Sequence, residues 1–390
     1  MKPRILIIGT AYAIREHRKK LPYLARDFSV TCVTAERCGG FGWVESASET
    51  PSTEDYGLIG LPIGGASVPG THCWYRGLPK VFRDGHYDLI LVENEPWGVL
   101  RWQSWLLKLL FQRSAVFGEF TWENIVRGGW KGRILSAIYR AAAVTGSFAV
   151  GGNQDAAALM RRYGSKMART ACIPQFGVDP AIFSPLSEPQ RREARRRVGL
   201  PEDAFLIGYC GRFVPEKGIG DLLEAFRLLP AAPHELRLLM MGSGEMEGDL
   251  QAETRRDARI RLCPASTYPK IAEFLQALDL LVLPSHTVAG PNIWWKEQFG
   301  HILIEAMACE VVTLGSNSGA IPEVLNDADV IFPEGDIAAL VALIRPFVTN
   351  RECAQAVGAR LRARVIAHYS HERVADYWSA FFRKCLAVPA

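Results

Sequence analysis

FLIGYCGRF, Phe205–Phe213, is an apolar run that ends in a glycine turn, with Arg212 directly after Gly211. A run without polar alternation belongs to a strand buried on both faces, so helices must cover it above and below. RILIIGT, Arg4–Thr10, has the same build near the N-terminus. Behind it follow SVTCVTA, YDLILVEN, SAVFGEF, GSFAVGG and ARTACIPQ; behind Phe205–Phe213 follow ELRLLMMG, ARIRLCP, LDLLVLPS, CEVVTLGS and ADVIFPE. Helical patterns such as LLEAFRLL, PKIAEFLQAL and AALVALIRPF separate most of these runs. Strands alternating with helices make parallel sheets, so the chain reads as two doubly wound, Rossmann-like α/β domains. The proline-rich stretch VDPAIFSPLSEPQ, Val178–Gln190, marks the boundary, giving domains 1–187 and 188–370.

The 390 residues are enough for two cores, and 48% apolar with 22% charged residues is a globular balance. No run reaches the ~18 apolar residues of a membrane span, and the N-terminus lacks a signal-peptide pattern. Nine cysteines without a Cys-x-x-Cys pair indicate neither a zinc site nor a disulfide framework, and fit a cytoplasmic location. Residues 1–200 hold 27 Lys and Arg against 17 Asp and Glu, while the remainder is net acidic. The basic half is expected to face something anionic. The most basic run, RREARRR at Arg191–Arg197, reads as a solvated helix face. LRWQSWLLKLLFQR, Leu100–Arg113, places Trp102, Trp105, Leu106, Leu109 and Leu110 at helical spacing beside Arg101, Lys108 and Arg113. It reads either as a helix packed on its own sheet or as a peripheral membrane contact on the inner face.

Ligands of open α/β sheets bind beyond the carboxyl ends of the strands. GYCGRFVPEKG places Arg212 and Lys217 there, a planar fork and a point charge suited to a diphosphate. In WWKEQFGHILIEAMACE, Trp294–Glu310, a helix starting at Gly300 would present unpaired amides to an anion. Glu297 and Glu305 flank that anion site, where carboxylates repel unless they hold hydroxyl groups. The arrangement reads hydroxyl–phosphate–hydroxyl: a ribose, a diphosphate and a hexose. LGSNSGAIPEVL, Leu314–Leu325, adds a further loop and helix start. The triplet Asp327–Asp329 precedes a strand instead of following one and is not expected to bind metal. No Ser-His-Asp or Cys-His arrangement emerges, and the eight histidines lack ligand spacing.

The Glu297-x7-Glu305 spacing, with GRFVPEKG and SGAIPEV, resembles retaining glycosyltransferases of family 4, which have the GT-B fold. The motifs span Gly208–Glu334; the first domain matches in topology alone. The resemblance implies a UDP- or GDP-sugar donor bound by the second domain, with no metal and no other cofactor. It also implies two domains facing each other across a cleft, and a C-terminal helix, 371–390, returning to the first. Carried over by position, Arg212 and Lys217 hold the diphosphate, Glu305 the ribose and Glu297 the hexose. Glu297, Arg212 and Lys217 form the catalytic set. Gly9, Gly211, Phe299, Gly300, His301 and Ile302 complete the donor site. On the acceptor side Thr121 stands where many relatives carry a His. Glu119, Glu123 and Asn124 are the alternatives for a base, with Trp122 as a sugar-stacking surface. The acceptor is expected to be a glycan, a lipid-linked glycan or a small molecule, and not a nucleic acid. A nucleotide-sugar epimerase and a non-catalytic sugar-nucleotide-binding protein are the competing readings. Glu310 replaces the Gly usual in these proteins.

Overall fold

The computed structural model describes residues 1–40, 43–46, 56–65, 72–164, 169–230, 233–290 and 295–387. They form two compact units, Met1–Gly177 with His371–Ala390, and Val178–Ser370.

The first unit is built on a seven-stranded sheet, β11-β10-β9-β8-β1-β2-β5, parallel throughout. Its strands are β1 (Arg4–Gly9), β2 (Ser29–Ala35), β5 (Gly57–Leu61), β8 (Leu89–Glu93), β9 (Val116–Thr121), β10 (Phe148–Gly151) and β11 (Thr170–Cys172). Two short antiparallel pairs lie outside it, β3 (Arg37–Gly40) with β4 (Trp43–Ser46), and β6 (Ile63–Gly64) with β7 (Trp74–Tyr75). The helices are α1 (Leu21–Leu24), α2 (Leu78–Asp84), α3 (Val99–Phe111), α4 (Gly129–Thr145), α5 (Gln154–Arg162) and the C-terminal α14 (His371–Ala387). The unbroken apolar runs follow from cover on both faces. Ile5 and Ile7 of β1 join a cluster with Leu21, Leu24, Trp378 and Phe382, whereas Leu6 and Ile8 join Leu78, Phe82, Leu100 and Leu107. Helix α14 belongs here because its apolar face is spent on this sheet. Trp378 is fully buried and its indole N–H donates to the Pro174 carbonyl at 2.9 Å.

The second unit is a six-stranded parallel sheet, β14-β13-β12-β15-β16-β17. Its strands are β12 (Phe205–Cys210), β13 (Leu236–Gly242), β14 (Ile260–Pro264), β15 (Leu280–Leu283), β16 (Val312–Ser316) and β17 (Ile331–Phe332). Its helices are α6 (Glu188–Arg197), α7 (Ile219–Leu228), α8 (Glu247–Arg256), α9 (Tyr268–Ala277), α10 (His301–Ala308), α11 (Ile321–Leu325), α12 (Ile337–Thr349) and α13 (Arg351–His368).

Three details differ from expectation. The second unit begins at Val178, ahead of the expected 188. The proline segment is bound to it: Val178 N–H donates to the Tyr369 carbonyl, and Gln276 holds the carbonyls of Ile182 and Ser184. Edge strand β5, GLIGL, was not expected, since two glycines in five residues weaken its pattern. ADVIFPE yields only the two-residue β17.

In both sheets the chain reverses its direction of growth next to the first strand, between β1 and β8 and between β12 and β15. These are the switch points at which doubly wound sheets leave room for a ligand. They gather the carboxyl ends at Gly9 and Glu93 in one unit, and at Gly211 and Pro284 in the other.

Candidate active site

At the switch point of the second unit, Tyr209 donates its hydroxyl to the Arg212 carbonyl at 2.6 Å, fixing the turn after β12. The Arg212 guanidinium stays well exposed, with a loose contact to Glu216 at 3.5 Å. A 3-10 turn, Pro215–Lys217, then leads through Gly218 at φ 65° into α7. Lys217 reaches Glu297 at 2.6 Å and lies 4.7 Å from the Trp295 ring centroid. Ser285, just past β15, donates to the same Glu297 oxygen at 2.8 Å. His286 beside it bonds Asp221 of α7 at 2.7 Å, tying the two loops together.

Glu297 is also held from below. Its carbonyl accepts the Ala320 N–H at 3.0 Å, and this approach depends on Gly319 at φ 52°. A Cβ there would lie 2.0 Å from the Glu297 carbonyl oxygen, so the loop closes only around a residue without a side chain. Three residues past Glu297, Gly300 at φ 76° is the N-cap of α10, which has no side-chain cap and no acidic residue in its first turn. Such a helix start carries partial positive charge and open donors. Glu305, on the second turn, is buried. The neighbouring thiols of Cys210 and Cys309 are pushed up by burial and then by the Glu305 charge, which leaves them protonated and inert.

The structure thus brings Arg212, Lys217, Glu297, Gly211, Gly300, His301, Ile302 and Glu305 into one unit around one switch point. One expected member, Phe299, packs the helix start, and His301 carries no charge. The Phe299 side chain is buried, with its ring 4.7 Å from His301 and 5.8 Å from Tyr369, so it packs the helix start. Burial lowers His301 to about 4, so it is neutral near pH 7 and adds no charge to the anion site. Ser285 and Trp295 were missed as partners of Glu297 and Lys217, although Ser285 ends the quoted strand LDLLVLPS and Trp295 stands in the quoted stretch Trp294–Glu310. Trp294 lies outside the described residues.

In the first unit Gly9 ends β1, with Tyr12 and Glu93 packed closely around it. Glu119 is not a candidate base. It is buried in an ion pair with Arg101 at 2.6 Å, and Arg101 also holds the Ala142 carbonyl and Thr145. That pair also removes Arg101 from the proposed membrane helix. Glu123, buried, pairs with Arg127 at 3.1 Å, and Asn124 is buried beside it. The Trp122 indole N–H donates to Gln175 at 2.8 Å, and its ring packs edge-on against Phe120 and over Gly152, leaving little face for a sugar. Thr121 is buried and donates its hydroxyl to Glu95, which sequence reasoning overlooked. Glu95 also accepts the Trp122 N–H at 3.1 Å. Its position two residues past β8, at a strand's carboxyl end, was the signal that could have found it.

Among the described residues no group of three His, Cys, Asp or Glu side chains is placed to hold a metal ion. Asp327 of the acidic triplet caps its own 3-10 turn and pairs with Arg360 at 2.7 Å.

Residues 190–364 match the glycosyl transferases group 1 family. The GDP-mannose-dependent monoacylated alpha-(1-6)-phosphatidylinositol monomannoside mannosyltransferase of Corynebacterium glutamicum is 29% identical over 198 residues, 50% of this chain and 51% of that protein. The D-inositol 3-phosphate glycosyltransferase of Thermomonospora curvata is 26% identical over 313 residues, 72% of this chain and 68% of that protein. The match thus spans about half the length of the first of these relatives and two thirds of the second. Sucrose-phosphate synthase of Thermosynechococcus elongatus superimposes with a TM-score of 0.73 at 19% identity, covering 99% of this chain and all of that one. HepE of Anabaena, in complex with UDP and glucose, gives 0.70 at 15% identity, covering 98% and 99%. The whole chain therefore has the GT-B fold, and within its second unit residues 190–364 are similar to the glycosyl transferases group 1 family.

Proposed function

We propose that the protein is a retaining glycosyltransferase that moves a hexose from a UDP- or GDP-sugar to an acceptor hydroxyl. One observation carries the reading: at the switch point of the second unit Lys217 pairs with Glu297, three residues ahead of Gly300 at the start of α10, and among the described residues this is the one hydrogen bond its ammonium makes. Cleaving a sugar–phosphate bond puts negative charge on the departing diphosphate. Preorganised cations and amides there are worth about 3 kcal/mol or more each in the transition state. In this reading Lys217, Arg212 and the α10 amides take the diphosphate, and Glu305 takes the ribose. Glu297, steadied by Ser285, orients both Lys217 and the hexose. With no protein nucleophile evident, the acceptor attacks from the face the diphosphate leaves, and a phosphate oxygen accepts its proton. The cationic set takes the charge-neutralising role a metal would otherwise fill, so turnover is expected to survive a chelator.

The comparisons support both nucleotides, since one relative is named for GDP-mannose and one structural neighbour holds UDP. No helix among the described residues is long and apolar enough to cross a membrane. Leu106, Leu109, Leu110 and Phe111 of α3 are nevertheless exposed, which favours an acceptor met at the cytoplasmic face of a membrane. The test is incubation with UDP- and GDP-hexoses, with and without EDTA, following free nucleotide and sugar epimer. Nucleotide release in both conditions supports transfer. An epimer without release, or binding without either product, would replace it with one of the two rival readings.

A further inference from the structure

The two arginine-rich regions of this protein differ in whether their charge is neutralised. In Arg191–Arg197 every guanidinium has a carboxylate partner. Arg191 and Arg195 reach Asp279, Arg192 reaches Glu188 and Asp203, Arg196 reaches Glu193 and Glu202, and Arg197 reaches Glu193. The second region lies in the first unit. From Val126 to Tyr163 the chain has six basic residues and a single carboxylate, Asp155. Helix α4, seventeen residues long, contains no acidic residue at all.

Four of these arginines, Arg127, Arg133, Arg140 and Arg162, line one concavity of about 520 Å³ with Trp130 and Tyr163. That volume lies inside the range of about 300–1,000 Å³ usual for small-molecule sites. Arg127 is held by Glu123, but among the described residues Arg133, Arg140 and Arg162 have no carboxylate partner. Like charges gathered in one hollow repel unless an anion joins them, and guanidinium forks match phosphate oxygens in pairs. The rim is apolar: Trp130 is 68% exposed, with Val126 and Ile134 exposed beside it. The backbone contributes as well. Gly128 and Gly129 open α4 with no side-chain cap and with open space where a Cβ would stand.

We propose that this concavity binds a phosphate ester carried by the acceptor. Arg133, Arg140 and Arg162 hold the phosphate, and Trp130 covers the ring or chain attached to it. Only the acceptor role rests on the glycosyltransferase reading; the binding site does not. The shared chemistry is a phosphate ester, whether on a soluble sugar or in a lipid headgroup.

The test compares the wild type with an Arg133→Gln/Arg140→Gln/Arg162→Gln variant, with UDP and GDP present to fill the diphosphate site of the other unit. Each protein is titrated with glucose 6-phosphate, and each is floated with vesicles of phosphatidylglycerol or of phosphatidylcholine. The expected result is at least a tenfold loss of affinity in the variant, for the soluble ester or for the phosphatidylglycerol vesicles. The arm that responds names the source. Equal binding by the two proteins in both arms, or none by either, overturns the proposal. Because these side chains are exposed, the variant should fold; a Trp130→Ala variant, which leaves the charges in place, supplies an independent check and should also bind more weakly. Donor cleavage is read on the same samples. Cleavage without arginine-dependent phosphate binding sinks this site alone. Arginine-dependent binding without cleavage keeps the site and sinks glycosyl transfer.

Discussion

Each sheet carries a Lys–Glu pair at its switch point, and the two pairs are built for different ends. In the first unit Lys20 meets Glu93 at 3.1 Å with both side chains essentially inaccessible, 1% and 0%. Glu93 also accepts the Tyr12 hydroxyl at 2.5 Å and the Gln175 amide at 2.7 Å, while Lys20 donates to the Gln175 carbonyl at 2.6 Å. The rings of Tyr12, Phe176 and Trp378 close around the ammonium. In the second unit Lys217 and Glu297 lie closer, at 2.6 Å, but retain 13% and 8% exposure just ahead of the start of α10. A buried charge whose bonds are all internal serves the fold. A charge left at the edge of water with donors to spare can serve a ligand.

The sharpest way to break this contrast is to remove each lysine. Lys20→Met strands an ionised Glu93 among aromatic rings and should cost about 3–5 kcal/mol of stability. Lys217→Met, which leaves Glu297 partly buried but still bonded to Ser285, should cost less, about 1–3 kcal/mol. Urea unfolding followed by tryptophan fluorescence measures both, and equal losses would erase the distinction.

Activity should invert the order. Lys217→Ala and Arg212→Ala each remove a donor from the leaving group and should lower kcat about 100- to 1,000-fold. The unfolding midpoint of Arg212→Ala should stay near the wild type, and that of Lys217→Ala should fall no further than that of Lys217→Met. Turnover at the wild-type rate in either variant would detach these residues from the chemistry.

A third carboxylate lies between the two extremes. Burial, working against the hydrogen bond from Thr121, raises Glu95 from 4.5 to about 7. The folded protein therefore holds a proton there that the unfolded chain has released. Its contribution to stability is complete below pH 4.5 and disappears as the pH rises through 7. Glu95→Gln should flatten the fall in stability across that window, an effect on the order of 3 kcal/mol. A slope unchanged by the substitution would show that Glu95 titrates normally.

The same contrast explains what the sequence made legible. Buried strands announce themselves as apolar runs, so both sheets could be read directly, except for β5 with its two glycines. Glu297 and Glu305 were readable because one loop and one helix turn fix their spacing. Long-range partners were not. Lys20 and Glu93 stand 73 residues apart, and Glu119 looked available because its partner Arg101 sits on a different element, 18 residues away. The run Arg191–Arg197 is the most basic in the sequence, yet Asp279, 88 residues from Arg191, pairs with Arg191 and Arg195, and carboxylates nearer in sequence pair with the other three. Arg133, Arg140 and Arg162 of α4 and α5, without a carboxylate partner among the described residues, are spread over 30 positions and form no run at all.

The smallest effect concerns a carboxylate that the contrast predicts to be dispensable. Glu310, just past α10, is half-exposed and 3.7 Å from Arg362, a geometry that contributes little in water. Its backbone stands at φ 60°, where a side chain is strained, and a Gly358 Cβ would come within 2.1 Å of its carbonyl, so the turn has no freedom to relax. Arg362 keeps its bond to the Ala308 carbonyl whatever occupies position 310. Glu310→Gly should therefore stabilise the second unit by about 1 kcal/mol, because the relief of left-handed strain exceeds the added freedom of the unfolded chain. A loss of stability would mean that the half-exposed ion pair outweighs the backbone. Exposure would then be a poor guide to which charges matter, and the distinction between Lys20 and Lys217 would lose its basis.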